Sequence, residues 1–163
     1  MKKKKSSASQ HSRQEYNNFI KELEIENITI PSNSWRLYFY PPPKTKIQNE
    51  YNLHLSKPKI SSDRSTVSIP AKLDIRGKVA KNDKNVFNIS IKQNLKIRVN
   101  PERLTDEFLN QYVGWNGIIS MISVFREQVK YATFQMGIHP LIIPTFKMIP
   151  PSSNEKNKNK IQK

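Results

Sequence analysis

The chain of 163 residues contains no cysteine, which excludes disulfide bonds and any reaction or metal site that needs a thiolate. Glycine is scarce as well. The four glycines stand apart from one another, so the glycine-rich loops that cradle phosphate groups are missing. Acidic residues are few, since 13 of them stand against 28 lysines and arginines, for a formal net charge of +15. This balance favours nucleic acid, an acidic membrane surface or an acidic protein as partner.

Signs of catalysis are missing too. The three histidines, His11, His54 and His139, lie far apart in the sequence, and none stands at a metal-binding spacing from a second ligand. The sequence also lacks the short motifs of nucleotide-binding and hydrolytic enzymes. We therefore expect no enzymatic activity, no catalytic residues, no metal, no cofactor and no small-molecule substrate.

Long apolar runs are absent. No segment reaches the roughly 20 apolar residues that cross a bilayer, and the basic start of the chain lacks the apolar stretch of a secretion signal. These absences predict an intracellular protein with no membrane partner. The four consecutive lysines near the N-terminus favour the nucleus.

Lysine-rich polar segments occupy both ends of the chain. Residues 1–12 and 151–163 have too little apolar surface to offset the entropy lost on ordering, so they are predicted to be disordered basic tails. Between them, residues 13–65 are predicted to form a helix, an aromatic strand and a long loop. Residues 66–150 are predicted to form a barrel.

An amphipathic helix is predicted near the start of the ordered part. Ser12 and Glu15 have the spacing of a capping box, and four apolar residues follow at i, i+3, i+4 and i+7. These are Tyr16, Phe19, Ile20 and Leu23. Because the exposed side of this helix is acidic, we expect it to pack on the body of the protein or on a partner protein.

An aromatic strand is predicted at residues 35–40, with the sequence WRLYFY, and three prolines end it. Its candidate contacts with a partner protein are Trp35, Tyr38 and Tyr40. The next residues, 44–65, are polar and lack clear periodicity, so they are interpreted as a long loop or insertion.

Apolar and polar residues alternate through residues 72–99, KLDIRGKVAKNDKNVFNISIKQNLKIRV. This period of two predicts three strands, with a turn at residues 82–85 and an interruption at Gln93 and Asn94. Gly77 is expected to mark a bulge or a barrel corner. The outward positions are predicted to form one basic face, made of Lys72, Arg76, Lys78, Lys92, Lys96 and Arg98.

A second helix is predicted after this stretch. Asn100 is its expected N-terminal cap, and Gly114 is expected just past its end. Two further strands are then predicted, at residues 115–125 and 129–138, joined by a turn at residues 126–128.

The resulting order of three strands, a helix and two strands resembles the OB-fold, a five-stranded Greek-key barrel. The resemblance lies in AKLDIRGKVAKND as a bulged first strand and in VGWNGIISMISVFREQVKYATFQMGI as the last two strands, and it covers about residues 66–143. It implies a mainly β protein with one inserted helix and one N-terminal helix. An unrelated α+β sheet with one helix would produce a similar pattern.

The OB-fold resemblance implies single-stranded nucleic acid as the ligand, with DNA favoured. Such folds track phosphates with a basic face and stack bases on aromatic rings. Trp115, Arg126 and Tyr131 would complete the basic face as a binding site. The chain would then be similar to small subunits of replication protein A-type or telomere-capping CST-type complexes, with a larger protein subunit as partner.

Other functions fit the same residues. The chain is alternatively a structural component of a ribonucleoprotein, or a protein–protein adaptor whose basic face meets an acidic partner. The basic face is otherwise only the solvated side of a sheet. The choice between DNA and RNA, the base preference and the identity of the partner stay open.

Overall fold

An antiparallel sheet of five strands forms the frame of the structure, a computed structural model that describes residues 7–143. Helix α1 spans Ser7–Glu22. The strands are β1 (Glu24–Leu37), β2 (Ile47–Leu55), β3 (Lys59–Ile60), β4 (Thr66–Val79) and β5 (Asn85–Arg98). Helix α2 (Asp106–Tyr112) continues through a π-helical turn (Val113–Gly117) into helix α3 (Ile118–Gln135). The strands lie in the order β1-β5-β4-β2, and the short β3 pairs with β4.

The sheet is open, and this corrects the predicted barrel. Strand β1 pairs with β5 and β2 pairs with β4. Within residues 7–143, β1 and β2 do not pair with each other, so the sheet has two edges and does not close. The coarser prediction is confirmed: the chain is mainly β and antiparallel, with helices that include one at the N-terminus.

Strands β4 and β5 follow the predicted alternation. From Val67 to Gly77 and from Phe87 to Ile97, their odd-numbered residues are buried and their even-numbered residues face the other way. The alternation continues through Gln93, which is itself buried, so β5 is one strand and the predicted interruption is wrong. In the amide orientation that suits both neighbours, Gln93 donates to the carbonyl of Met121 at 3.3 Å and accepts from the N–H of Phe125 at 3.0 Å. A polar residue therefore stays on the buried face because helix α3 satisfies it.

Helix α3 occupies the residues that were predicted to form the last two strands. The buried residues Met121, Phe125, Val129 and Ala132 recur at helical spacing and α3 lies across β5 and β1. The strand prediction gave too much weight to the β-branched and aromatic content of this segment. Gly114 does not end a helix, because the π-helical turn carries the chain on into α3.

Two helix starts also differ from the prediction. Helix α1 begins at Ser7, so Ser12 lies inside it rather than at its cap. Helix α2 is capped by Thr105, whose hydroxyl accepts from the N–H of Phe108 at 3.2 Å, and not by Asn100.

The predicted loop at residues 44–65 contains strands β2 and β3. The inward positions of β2 are only half-buried and include the polar Asn49, which hides the period of two. The aromatic strand is longer than predicted at its start and shorter at its end, since β1 begins at Glu24 and ends at Leu37.

Gly77 lies at the predicted irregularity. The register between β4 and β5 shifts between Gly77 and Lys78. The ring of Phe87 lies over Gly77, where an added Cβ would overlap the ring atoms. A glycine is therefore needed at this point because the ring occupies the space of a side chain.

No helix within the described residues is long and apolar enough to cross a membrane. Residues 1–6 and 144–163 lie outside the described part, and with them half of the predicted N-terminal tail and all of the predicted C-terminal tail.

Candidate functional site

The outer side of the sheet carries the cations that the alternation predicted on one face. We call this side the cationic face. It is made by the outward residues of β1, β4 and β5. Its basic residues are Arg36, Lys72, Arg76, Lys78, Lys92, Lys96 and Arg98. The sequence analysis missed Arg36 as a member, because its strand was not expected to pair with β5.

Acidic residues on the same face neutralise four of the six predicted cations. Lys72 contacts Asp74 at 2.8 Å, and Lys78 contacts Glu50 at 2.7 Å. Glu26 holds both Lys96 at 2.8 Å and Arg98 at 2.9 Å. Glu24 and Glu26 were expected on the exposed side of a helix, but they lie in β1 and face these cations.

The ion pairs change the pKa values of the acids. The hydrogen bond from Lys96 is the main cause that lowers the pKa of Glu26. Partial burial pushes the pKa of Asp74 upward, but hydrogen bonds with Lys72 and Ser90 outweigh it and leave the pKa lowered. Both carboxylates therefore stay charged at neutral pH and compete with any anion that approaches these cations.

The other three predicted nucleic-acid contacts lie elsewhere. Trp115 is half-buried in the π-helical turn, and Arg126 and Tyr131 belong to α3. Helix α3 packs on the inner side of the sheet, so the strand register that gathers the cations does not bring these residues to them. The structure thus separates the predicted aromatic platforms from the predicted phosphate contacts.

The residues predicted to contact a partner fall into two groups. Phe19 is 1% exposed and belongs to the core, where its ring packs 5.8 Å from the ring of Phe108. Three others pack against the core and are half-buried: Tyr16, Ile20 and Leu23. The second group, Trp35, Tyr38 and Tyr40, is exposed.

The exposed aromatic residues make specific contacts. The ring of Trp35 meets Tyr131 edge-on, with 5.9 Å between ring centroids. The hydroxyl of Tyr38 accepts from the amide of Asn88 at 2.9 Å, and that of Tyr40 donates to the carbonyl of Met136 at 3.1 Å. These rings are held in place, which suits a preformed contact surface.

An apolar groove of about 560 Å³ opens beside Tyr40. One wall is the β1–β2 connection, the floor is β2 and the start of β5, and the other wall is the segment after α3. Its main apolar residues are Tyr40, Pro41, Ile47, Val86, Phe87, Ile138 and Leu141. The sequence analysis did not detect this groove, because these residues come from four separate parts of the chain.

The segment after α3 is fixed by two residues. The hydroxyl of Thr133, which is fully buried, accepts from the N–H of Leu141 at 3.2 Å and donates to the carbonyl of Val129 at 3.0 Å. Gly137 turns the chain with a φ of +67°, and a Cβ there would stand 3.3 Å from the Tyr40 hydroxyl oxygen. The far wall of the groove is therefore preformed.

One polar atom in the groove has no partner. The side-chain oxygen of Asn49, on the floor, is buried and accepts no hydrogen bond from the described residues. Buried acceptors are nearly always paired in native structures.

Among the side chains that the structure describes, no group of three or more His, Asp or Glu residues could hold a metal ion.

No family model matches the chain, and no curated protein is significantly similar to it. Among solved structures, the SecB-like chaperone Rv1957 of Mycobacterium tuberculosis was solved in complex with a ChAD peptide from the antitoxin HigA1, Rv1956. It aligns with a TM-score of 0.66 and 16% sequence identity, covering 82% of this chain and 96% of that chain. The fold is similar to that of a SecB-like chaperone.

A protein of unknown function from Streptococcus agalactiae also aligns, at 12% identity over 76% of this chain and 97% of its own. Its TM-score of 0.39 is too low to indicate a shared fold.

The likeness to a chaperone overturns the predicted function. A DNA-binding subunit of a replication or telomere-type complex, with single-stranded nucleic acid as its partner, is wrong. The similar structure was solved with a bound peptide.

Proposed function

We propose that the chain is a non-enzymatic, chaperone-like protein that binds extended segments of other proteins. The observation that carries this proposal is the likeness of its fold, at a TM-score of 0.66, to a SecB-like chaperone that holds a peptide. The apolar groove beside Tyr40 is the proposed site of binding.

The groove has the properties that a peptide site requires. Its volume of about 560 Å³ lies in the range of roughly 300–1,000 Å³ that is typical of ligand sites, which are mostly apolar with a few polar groups. Asn49 places a polar side chain on the otherwise apolar floor. Apolar side chains of the segment would lie against Ile47, Phe87 and Ile138.

Exposed apolar rings also occur outside the groove. Phe134 is 70% exposed on α3, three positions before Gly137, and Tyr131 is 52% exposed beside Trp35. Exposed apolar surface of this kind on a folded chain marks a site of protein contact. A chaperone-like protein needs such surface because its clients expose apolar residues when they are unfolded.

Binding of a labelled peptide tests the proposal. We would measure fluorescence anisotropy of a short peptide, rich in leucine and phenylalanine and without net charge, against the full chain. Ile138→Asp is expected to weaken binding about tenfold, which corresponds to about 1.4 kcal/mol, because it places a carboxylate in the apolar groove. The matched control is Ile119→Asp, since Ile119 is 54% exposed on α3 and does not line the groove.

A second groove variant guards against misfolding. Tyr40 is 68% exposed, so Tyr40→Ala removes a groove wall with little effect on the core. Loss of affinity in both groove variants, with unchanged thermal melting of Tyr40→Ala, supports the proposal. Retained affinity in both, or no binding by the unaltered chain, overturns it.

A further inference from the structure

We propose that the cationic face is a second docking surface, on the opposite side of the sheet from the groove, and that it takes an acidic segment of a partner protein. This goes beyond the proposed function, which uses only the inner side. The surface is centred on Arg36, Arg76 and Lys92.

These three cations differ from the others on the same face. Arg36, Arg76 and Lys92 are exposed, and none of them has an ion pair with another described residue. The remaining cations of the face, in contrast, all contact a carboxylate. Glu50 lies opposite Arg76 in the register of β2 and β4, but its carboxylate contacts Lys78, and Asp74 contacts Lys72. The nearby acids are therefore engaged by other cations of the face.

Strand register places the three cations around a common centre. Arg76 and Arg36 pair with Asn88 from its two sides, so their strands lie two steps apart, about 10 Å. Lys92 is four residues along β5 from Asn88, about 13 Å away. An extended acidic segment repeats its side chains on one side about every 7 Å, so carboxylates four positions apart match the separation of about 13 Å along β5.

The middle of this surface is concave and contains a polar atom without a hydrogen-bond partner among the described residues. A depression of about 420 Å³ is lined by Lys72, Arg76, Asn88 and Ser90, among others. The side-chain oxygen of Asn88 is buried without a hydrogen-bond partner, although its amide group donates to Tyr38.

One pair of residues here is unfavourable without a ligand. Lys72 lies directly opposite Lys92 in the register of β4 and β5, and like charges at such positions destabilise a sheet. Asp74 relieves Lys72 but not Lys92. A carboxylate from a partner would relieve the second lysine. Local rules broken in this way are most often found at functional sites.

The acids on the face favour a protein segment over a polyanion. Glu50 and Asp74 line the same depression as Arg76, and they would repel closely spaced phosphates. Discrete carboxylates can be placed to avoid them, and a guanidinium group binds a carboxylate through two parallel hydrogen bonds. An acidic protein segment is therefore the ligand that fits this arrangement of charges.

Charge reversal on and off the face tests the proposal. The probe is a labelled peptide of alternating glutamate and serine, measured by anisotropy against the full chain. Arg76→Glu with Lys92→Glu is expected to weaken binding about tenfold. The control pair, Lys21→Glu with Lys130→Glu, changes the net charge equally, and both residues are exposed on helices. The control is expected to stay within about twofold of the unaltered chain.

Each other outcome counts against the proposal. If both charge-reversed pairs lost affinity equally, binding would depend only on net charge. If the unaltered chain did not bind the acidic peptide, the proposed site would not exist. A third outcome is that the chain binds single-stranded DNA more tightly than the acidic peptide and loses that binding when Arg76 and Lys92 are reversed. This result would show that the partner of the face is a nucleic acid and not an acidic protein segment. Ile138→Asp is expected to keep its affinity for the acidic peptide, because Ile138 lines the groove and not the cationic face. Failure of this proposal can therefore be distinguished from failure of the proposed function.

Discussion

The two faces of the sheet are made by alternate residues of the same strands, yet different forces hold them. On the inner face, Ile75, Ile89 and Ile91 are almost completely buried and helix α3 lies across β5 and β1. On the outer face, Arg76 and Lys92 are exposed and Lys96 is tied to Glu26 by an ion pair. The comparison shows that the inner face stabilises the fold, whereas the outer face presents charge.

The magnitudes explain this division. A fully buried aliphatic or aromatic side chain contributes about 1.5–3 kcal/mol by leaving water. An exposed ion pair contributes about 0–1 kcal/mol. Residues of the outer face can therefore be chosen for a partner with little cost in stability, whereas those of the inner face cannot.

The largest expected effect comes from the inner layer. Phe125 is 1% exposed at the centre of α3, and Phe125→Ala is expected to lower the free energy of unfolding by about 3–5 kcal/mol because it leaves a cavity. Lys92→Ala, on the outer face, is expected to change it by less than about 0.5 kcal/mol. Urea unfolding measures both. Similar losses in the two variants would erase the distinction between the faces.

A smaller loss is expected where the inner face is tightly packed. Gly77→Ala places a methyl group inside the ring of Phe87, and overpacking of this kind costs about 1–3 kcal/mol. The cost should shrink in a Phe87→Leu background, because the smaller side chain leaves room. A double-mutant cycle by urea unfolding measures the coupling. An equal cost in both backgrounds would place the strain somewhere other than the ring.

On the outer face, Glu26→Gln is expected to lower stability less than Gly77→Ala does. The pKa of Glu26 is lowered in the folded chain, chiefly by Lys96, so its ion pairs stabilise the fold above the usual pKa of 4.5 and lose this effect as the pH falls through the lowered value. Thermal melting against pH should show a smaller acid-induced loss in the variant. High salt should narrow the difference between the two proteins at neutral pH.

The smallest effect is expected outside both faces, in the turn between β3 and β4. The hydroxyls of Ser61 and Ser65 donate to Asp63 and lower its pKa to about 2 from 3.8. Its contribution to stability is present above 3.8 and is lost as the pH falls towards 2. Asp63→Asn should remove this part of the acid transition. An unchanged melting curve below pH 3.8 would show that the turn does not contribute.

Much of the central sheet could be predicted from its residues. The period of two in β4 and β5 decides which side chains share a face, and the structure confirms that Lys72, Arg76 and Lys92 do. Such a pattern is local, because successive residues of a strand point to opposite sides whatever the strand pairs with. The N-terminal helix was also predictable from a local pattern, the helical spacing of its apolar residues.

The candidate groove could not be predicted in this way. Its walls come from Tyr40, Ile47, Phe87 and Ile138, which no local period connects. Residues 118–135 had the spacing of a buried helix, but their composition also suited strands, and only packing against the sheet and Gln93 decided between the two.

By itself, the sequence determined that the chain is basic, free of cysteine and built around alternating strands with one strongly charged face. The tertiary structure alone decided whether the sheet closes and which of those charges remain unpaired. Arg98 donates a hydrogen bond to Glu26 although the two lie 72 positions apart, because β5 pairs with β1. Pairings at that distance depend on topology, and topology is set by how the whole chain packs rather than by any pattern within one segment.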